Sequence, residues 1–187
     1  MIVLPESVQL PDRDMVLGQA IPFDVARWTS QLPAATWWPA ALATCPREGR
    51  WPRVDRRTVF DVARRADTAE GRRHLLVAAL VWGNGTKVRS VRRSARVFRN
   101  SSSADLDARL REALDVLRER GAVAAYRAFN TSQHIPYLGP AFFTKVLYFA
   151  GHESTAAGHR PVILDSVVSR ALRATAAVDA DWPDNGW

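Results

Sequence analysis

The sequence predicts an all-α fold. Apolar residues recur at three- and four-residue spacing through most of the stretch from Thr58 to Thr175, the period of a helix that buries one face or more. No stretch alternates convincingly between apolar and polar residues, as a half-buried strand would. No internal repeat is visible.

The first 57 residues are irregular. Pro5, Pro11, Pro22, Pro33, Pro39, Pro46 and Pro52 leave room only for short elements. Asp24 can cap a short helix through Trp28. Trp37, Trp38 and Trp51 are bulky anchors, expected to pack against the rest of the chain, with stacking on a base or ligand the alternative. Thr58 reads as the N-cap of a helix over Val59 to Ala66, and Thr68 as the cap of a second over Ala69 to Trp82. The second is apolar almost all round after His74 and should be central. Gly83-Asn84-Gly85 ends it. Val88 to Phe98 reads as a helix with Val91, Ala95 and Phe98 on one face and arginines on the others. Ser103 can cap Ala104 to Arg120, where Leu106, Leu110, Leu114 and Leu117 form a stripe. Gly121 ends that helix, and Ala122 to Asn130 is a shorter one. A turn over Ile135 to Leu138 leads through Gly139 into a helix from Pro140, proline being at home in the first helical position. Asp165 can cap a last helix, Ser166 to Thr175.

At 187 residues the chain suits one ordinary domain, or two small lobes sharing a core. A hydrophobic fraction of 47% and a charged fraction of 24% exclude a disordered chain. Cys45 is the single cysteine, which excludes an internal disulfide framework and any cysteine-built zinc or iron–sulfur centre. His74, His134, His152 and His159 show no metal spacing, so neither a metal nor a cofactor is expected. No apolar run approaches the length of a membrane span. Met1 to Leu10 lacks the basic region of a secretory signal, so a cytoplasmic location is expected.

Charge is the first positive clue. Lys and Arg number 26 against 19 Asp and Glu, a net charge of +7, which favours a polyanion as partner. Between Gly71 and Ala104 there is no acid, while Arg72, Arg73, Lys87, Arg89, Arg92, Arg93, Arg96 and Arg99 fall in that stretch. It reads either as a nucleic-acid face or as a solvated basic one. Lys87 and Lys145 are the only two lysines. An amine can lose its proton and attack carbon; a guanidinium cannot. Phe142, Phe143, Val146, Leu147 and Phe149 surround Lys145 in sequence, and burial favours the neutral amine. A solvated helix lysine is the plainer alternative.

Residues Ile135-Pro-Tyr-Leu-Gly-Pro140 resemble the hairpin of the helix-hairpin-helix DNA glycosylases, usually Leu-Pro-Gly-Val-Gly. Pro161-Val-Ile-Leu-Asp165 resembles that superfamily's apolar-Pro-Val-Asp element. Leu75 to Thr86 resembles its Leu-Leu-x-Ala-x-Leu-x-Ser-x-Gln-x-Thr helix end, with Asn84 at the polar position. The matches fall in the right order over roughly residues 58–175, and Leu138 to Lys145 points to the prokaryotic 8-oxoguanine glycosylase-like branch. Two departures stand out. Tyr137 replaces the first hairpin glycine, and Ala141 occupies the usual place of the catalytic lysine, with Lys145 one helical turn further on.

The resemblance implies a two-lobed helical fold with a cleft. Residues 1–57 would pack on the C-terminal lobe, 58–130 would form a helical lobe with a basic face, and 131–187 would carry the hairpin and the aspartate. The superfamily usually continues with another helix, so the chain reads as trimmed at Trp187. It further implies base excision repair on double-stranded DNA, by a monomer associated with the bacterial nucleoid. The enzyme would extrude a modified base, such as an oxidised purine, because the glycosidic carbon cannot be reached inside a duplex. Lys87, Arg89, Arg92, Arg93 and Arg96 would hold the backbone, and Gly139 a phosphate at the helix start. Asn84 would fill the gap left by the base, whose pocket Trp82 and Phe142 would line. Asp165 would stabilise the cationic sugar, and Lys145 would form a Schiff base that permits strand cleavage. The alternative is a catalytically inactive helix-hairpin-helix module that binds DNA or a protein. Asp165 as a mere helix cap and Asn84 as an ordinary turn residue belong to it.

Overall fold

The computed structural model describes residues 9–152 and 159–175. Before Asp55 the chain forms only short pieces, as its prolines dictate. These are α1 (Arg13–Leu17), β1 (Ala20–Pro22) and α2 (Val25–Thr29), then a 3-10 turn at Ala35–Trp37, α3 (Ala40–Ala43), β2 (Arg47–Glu48) and β3 (Trp51–Asp55). Asp24 caps α2 as expected, accepting from the Arg27 amide at 3.1 Å. The strands are antiparallel in the order β1-β3-β2, with Ile21 opposite Val54 and Arg47 opposite Pro52. This small sheet corrects the expectation of no strand. Its members are two to five residues long, too short for a period of two to register. Pro22 and Pro52 lie within them and argue locally against a strand.

Helix α4 spans Arg56–Ala63, and its cap is Asp55, not Thr58. The Asp55 carboxylate accepts from the Thr58 amide at 2.8 Å, which starts the helix a turn earlier than expected. Helix α5, Ala69–Asn84, is capped by Thr68 as expected and runs two residues past Trp82. It stops at Gly85, whose φ of 59° a side chain would resist. The single helix expected over 88–98 is two, α6 (Val88–Ser94) and α7 (Arg96–Arg99). The break at Ala95 lets Val91, Ala95, Val97 and Phe98 all be buried. In α8 (Ser103–Asn130) the cap is Ser102, and Gly121 at φ 79° kinks the helix between the two expected arms. Helices α9 (Pro140–Gly151) and α10 (Ser166–Thr175) begin where the proline and the aspartate predict.

The core centres on α5, in which Leu75 to Val81 are entirely buried. It packs against α4, α8 and α9, and α9 lies against α8 in turn. The N-terminal pieces are tied to α5 and the loop after it. The Trp82 indole donates to the Gln19 carbonyl and the Trp28 indole to the Gly85 carbonyl, each at 3.3 Å, and Arg27 donates to the Thr86 carbonyl at 2.8 Å. Arg72 is buried and grips Asp107 through two bonds of 2.8 and 3.0 Å. It joins α5 to α8 and so leaves the basic surface. Among the described residues no helix is long and apolar enough to cross a membrane.

Candidate active site

Helix α9 carries the lysine. Gly139 is its N-cap and Pro140 its first residue, so the hairpin turn feeds straight into it. Lys145 is 6% exposed. Its Nζ donates to the Ala141 carbonyl at 2.6 Å and stands 5.4 Å from the centre of the Phe142 ring. The lysine stem runs along Gly83 of α5. A Cβ on Gly83 would lie 3.1 and 3.3 Å from Lys145 Cδ and Cε, and 2.9 Å from Phe142 Cε1. The two helices approach this closely only because that position has no side chain. Burial pushes the lysine pKa below its ordinary value; the Asp165 carboxylate opposes the shift, and the Arg56 guanidinium reinforces it.

Asp165 enters from the start of α10. Its Oδ1 accepts from the amides of Val167 and Val168 at 3.0 and 3.1 Å, so the carboxylate is oriented and bears charge where helix N-terminal amides favour it. Thr144 draws this segment onto α9. Its hydroxyl accepts from the Leu164 amide at 3.1 Å and lies 2.7 Å from the Pro140 carbonyl. Thr144 precedes Lys145 and Leu164 precedes Asp165, so one buried hydroxyl ties the segment carrying the aspartate to the helix carrying the lysine. The sequence reading did not single out Thr144. Its signal was the one aliphatic hydroxyl in a helix, Pro140–Gly151, whose only other polar side chains are Lys145 and Tyr148.

The cations of α6 and α7 form a second feature. Lys87, Arg89, Arg92, Arg93 and Arg96 are all exposed, while Val91, Ser94 and Ala95 anchor the segment inward. Arg96 reaches the hairpin: its guanidinium sits 4.2 Å from the Tyr137 ring centre and donates to the Tyr137 hydroxyl at 3.1 Å. Tyr137 has φ 67°, the backbone region glycine takes freely. Ser90, Arg93, Tyr137 and Gly139 share the wall of a hollow of about 130 Å³ beside the start of α9.

A family described as "Putative 8-oxoguanine DNA glycosylase OGG-like protein" matches residues 14–187. The chain belongs to this OGG-like family. No curated protein and no solved structure matches it. The match runs through hairpin, lysine helix and aspartate alike, and the helical architecture is that of a glycosylase-like fold.

In the OGG-like chain the other expected site residues fall out unevenly. Asn84, expected to fill the gap beside an extruded base, is turned inward. It is buried, and its amide nitrogen donates to the Leu80 carbonyl at 2.8 Å and to the Ser94 hydroxyl at 3.1 Å. Both amide hydrogens are thereby spent inside the fold. Trp82 is buried against Phe149, and the Arg56 guanidinium covers its ring at 4.6 Å. Phe142 is half-buried beside Gly83 and Lys145. A larger apolar hollow, about 430 Å³, is lined by Thr144 and Leu164 but by neither Lys145 nor Asp165.

The contact at Gly83 gives a sharp expectation. Gly83→Ala should leave thermal stability within about 2 kcal/mol, since overpacking of roughly 1–3 kcal/mol is partly offset by about 1 kcal/mol of helix propensity. The added methyl must push Lys145 or Phe142 aside. A misplacement of about 1 Å costs about a hundredfold in rate, so any chemistry that needs the Lys145 amine should fall far more than the melting temperature does.

Proposed function

We propose that the OGG-like chain is a DNA glycosylase with lyase activity, excising an oxidised or otherwise modified base from double-stranded DNA. The observation that carries this reading is a buried amine, Lys145, on a helix to which the Thr144 hydroxyl ties the separate segment that ends in the oriented carboxylate of Asp165. The reading has the protein act as a monomer on nucleoid DNA.

Lys87, Arg89, Arg92, Arg93 and Arg96 grip phosphates from the exposed face of α6 and α7. Gly139 and the uncapped start of α9 receive another, with Arg93 beside the same hollow. Trp82 and Phe142 flank the place where an extruded base would enter. With Asn84 engaged inside the fold, filling the gap requires the Asn84 side chain to turn out, or the exposed Tyr137 ring to serve. As the glycosidic bond breaks, its electron pair leaves with the base, which takes up a proton. Positive charge develops on the sugar, where Asp165 offsets it. The neutral Lys145 amine, released from the Ala141 carbonyl, gives its lone pair to the sugar carbon. Loss of an amine proton and opening of the sugar ring then yield the Schiff base.

A panel of duplexes, each with one modified base, tests the reading by product release. A second reading is favoured by one observation: the Lys145 amine is folded back onto its own helix. A catalytically inactive DNA-binding module would retain duplexes across the panel and release no base from any. On either reading Arg92 and Arg93 contact phosphate. The Arg92→Ala, Arg93→Ala double variant should bind all sequences more weakly and flatten the salt dependence by about one unit of slope per lost contact. An unchanged slope in salt titrations would move the binding face elsewhere.

A further inference from the structure

The hairpin before α9 carries a ring on its surface. Tyr137 is 42% exposed, and among the described residues it is the only exposed Phe, Trp or Tyr. The turn beneath it is firmly seated. Ile135 and Leu138 are buried on either side, and the Leu138 amide donates to the Ile135 carbonyl at 3.1 Å. Among the described residues Tyr137 is also the only one other than glycine with a positive φ, 67°. A bulky side chain is uncommon there and strains the backbone. Such strain persists where surrounding structure enforces it, and it recurs at functional sites. The Tyr137 ring is not part of the core, so core packing does not offset the strain.

The ring stands at the edge of the basic face. The Arg96 guanidinium lies 4.2 Å from its centre and donates to its hydroxyl at 3.1 Å. Arg93 and Tyr137 border the hollow of about 130 Å³, and so do Asn84 and Phe142. The residue expected to fill the gap left by a base and the exposed ring therefore face one space. They differ in what reaching out would cost. Asn84 would give up its bonds to the Leu80 carbonyl and the Ser94 hydroxyl, and Ser94 is only 2% exposed. A buried polar group stripped of its partner loses more than an exposed bond returns. Tyr137 already stands in solvent and breaks nothing inside the fold.

We propose that Tyr137 is the residue that enters the duplex where a base has been extruded, its ring stacking on a base beside the gap. This rests on reading the chain as a base-extruding DNA protein. It moves to the hairpin a role that the resemblance gives to Asn84. A flat ring matches the slot that a flat base vacates, and the slot is walled by the π-faces of its neighbours. Contact with Arg96 restrains the ring before DNA arrives, so less freedom is lost on binding. Every base has a π-face, so stacking of this kind tolerates any sequence. Tyr137 would therefore favour the gap itself and leave the choice of base to other residues.

The test compares two duplexes of the same sequence, one intact and one carrying a tetrahydrofuran abasic analogue. The analogue has no aldehyde, so Lys145 chemistry plays no part. The full-length wild type should bind the analogue duplex more tightly than the intact one. Base–aromatic stacking is strong enough that Tyr137→Ala should lose roughly five- to a hundredfold of that preference, with affinity for the intact duplex changed about twofold at most. Tyr137→Phe and Tyr137→Trp should retain it. Tyr137→Gly should lose the preference as Ala does. Its melting temperature should stay within about 3 °C of wild type, since relief of the backbone offsets the added chain freedom and the lost contact with Arg96. Preference retained in both Ala and Gly variants overturns the inference and returns the role to Asn84. Equal weakening on both duplexes, with Phe as poor as Ala, overturns it in favour of a hydroxyl contact to phosphate. A wild type that binds both duplexes alike overturns it too, leaving product release to judge the glycosylase reading. A wild type that binds neither duplex defeats the DNA reading itself, and the inference with it.

Discussion

Lys145→Gln is expected to abolish the borohydride-trapped adduct with abasic-site DNA while leaving duplex affinity nearly unchanged. Trapping needs an imine, formed when an amine condenses with the abasic aldehyde and water leaves; hydride then reduces the C=N bond. Glutamine keeps a polar end within reach of the Ala141 carbonyl but has no nucleophilic lone pair. Lys87 is the only other side-chain amine, and it sits on the exposed basic face, so residual adduct in Lys145→Gln would indicate Lys87 or the chain terminus. Base release should fall by roughly 10³-fold or more, because the residues that remain can only direct water. Wild-type adduct formation should rise with pH, and the rise should come earlier than for an ordinary lysine, since burial lowers the Lys145 pKa.

The second large effect is expected at Asp165. Asparagine is as good a helix cap as aspartate, and its side-chain oxygen can still accept from the Val167 and Val168 amides. Asp165→Asn should therefore fold and bind like wild type. It removes the fixed negative charge that matters most as the sugar becomes cationic. Loss of one such electrostatic group costs about two to three powers of ten in rate, so single-turnover excision should slow by that factor with little change in affinity. It also removes a negative charge that favours the protonated lysine. Adduct formation on preformed abasic sites, which needs no glycosidic cleavage, should suffer much less than excision. Equal losses in both assays would mean that Asp165 acts only by holding α10 in place.

Much of this molecule was legible locally. The caps at Asp24, Thr68 and Asp165, the start at Gly139-Pro140 and the division at Gly121 follow from residues within a few positions of each other. Hydrogen bonds of that range form wherever the chain takes up a helix. Lys145 and Asp165 were legible as candidates, through residue type and flanking pattern. What brings them together was not. The Thr144 clamp spans twenty residues, and Gly83 meets a stem on another helix. Arg72 and Asn84 show the same limit in reverse. Both read as surface groups in a basic or turn-like stretch, and both are spent on interior partners, Asp107 and Ser94. The short sheet escaped because strand pairing joins Ala20–Pro22 to Arg53–Asp55 across thirty intervening residues. Sequence by itself determined the helices and the chemical types at the site, because capping, periodicity and side-chain chemistry are local. Only the tertiary structure decided which polar groups are spent inside the fold and which residues pack against the lysine stem, because long-range packing selects those partners.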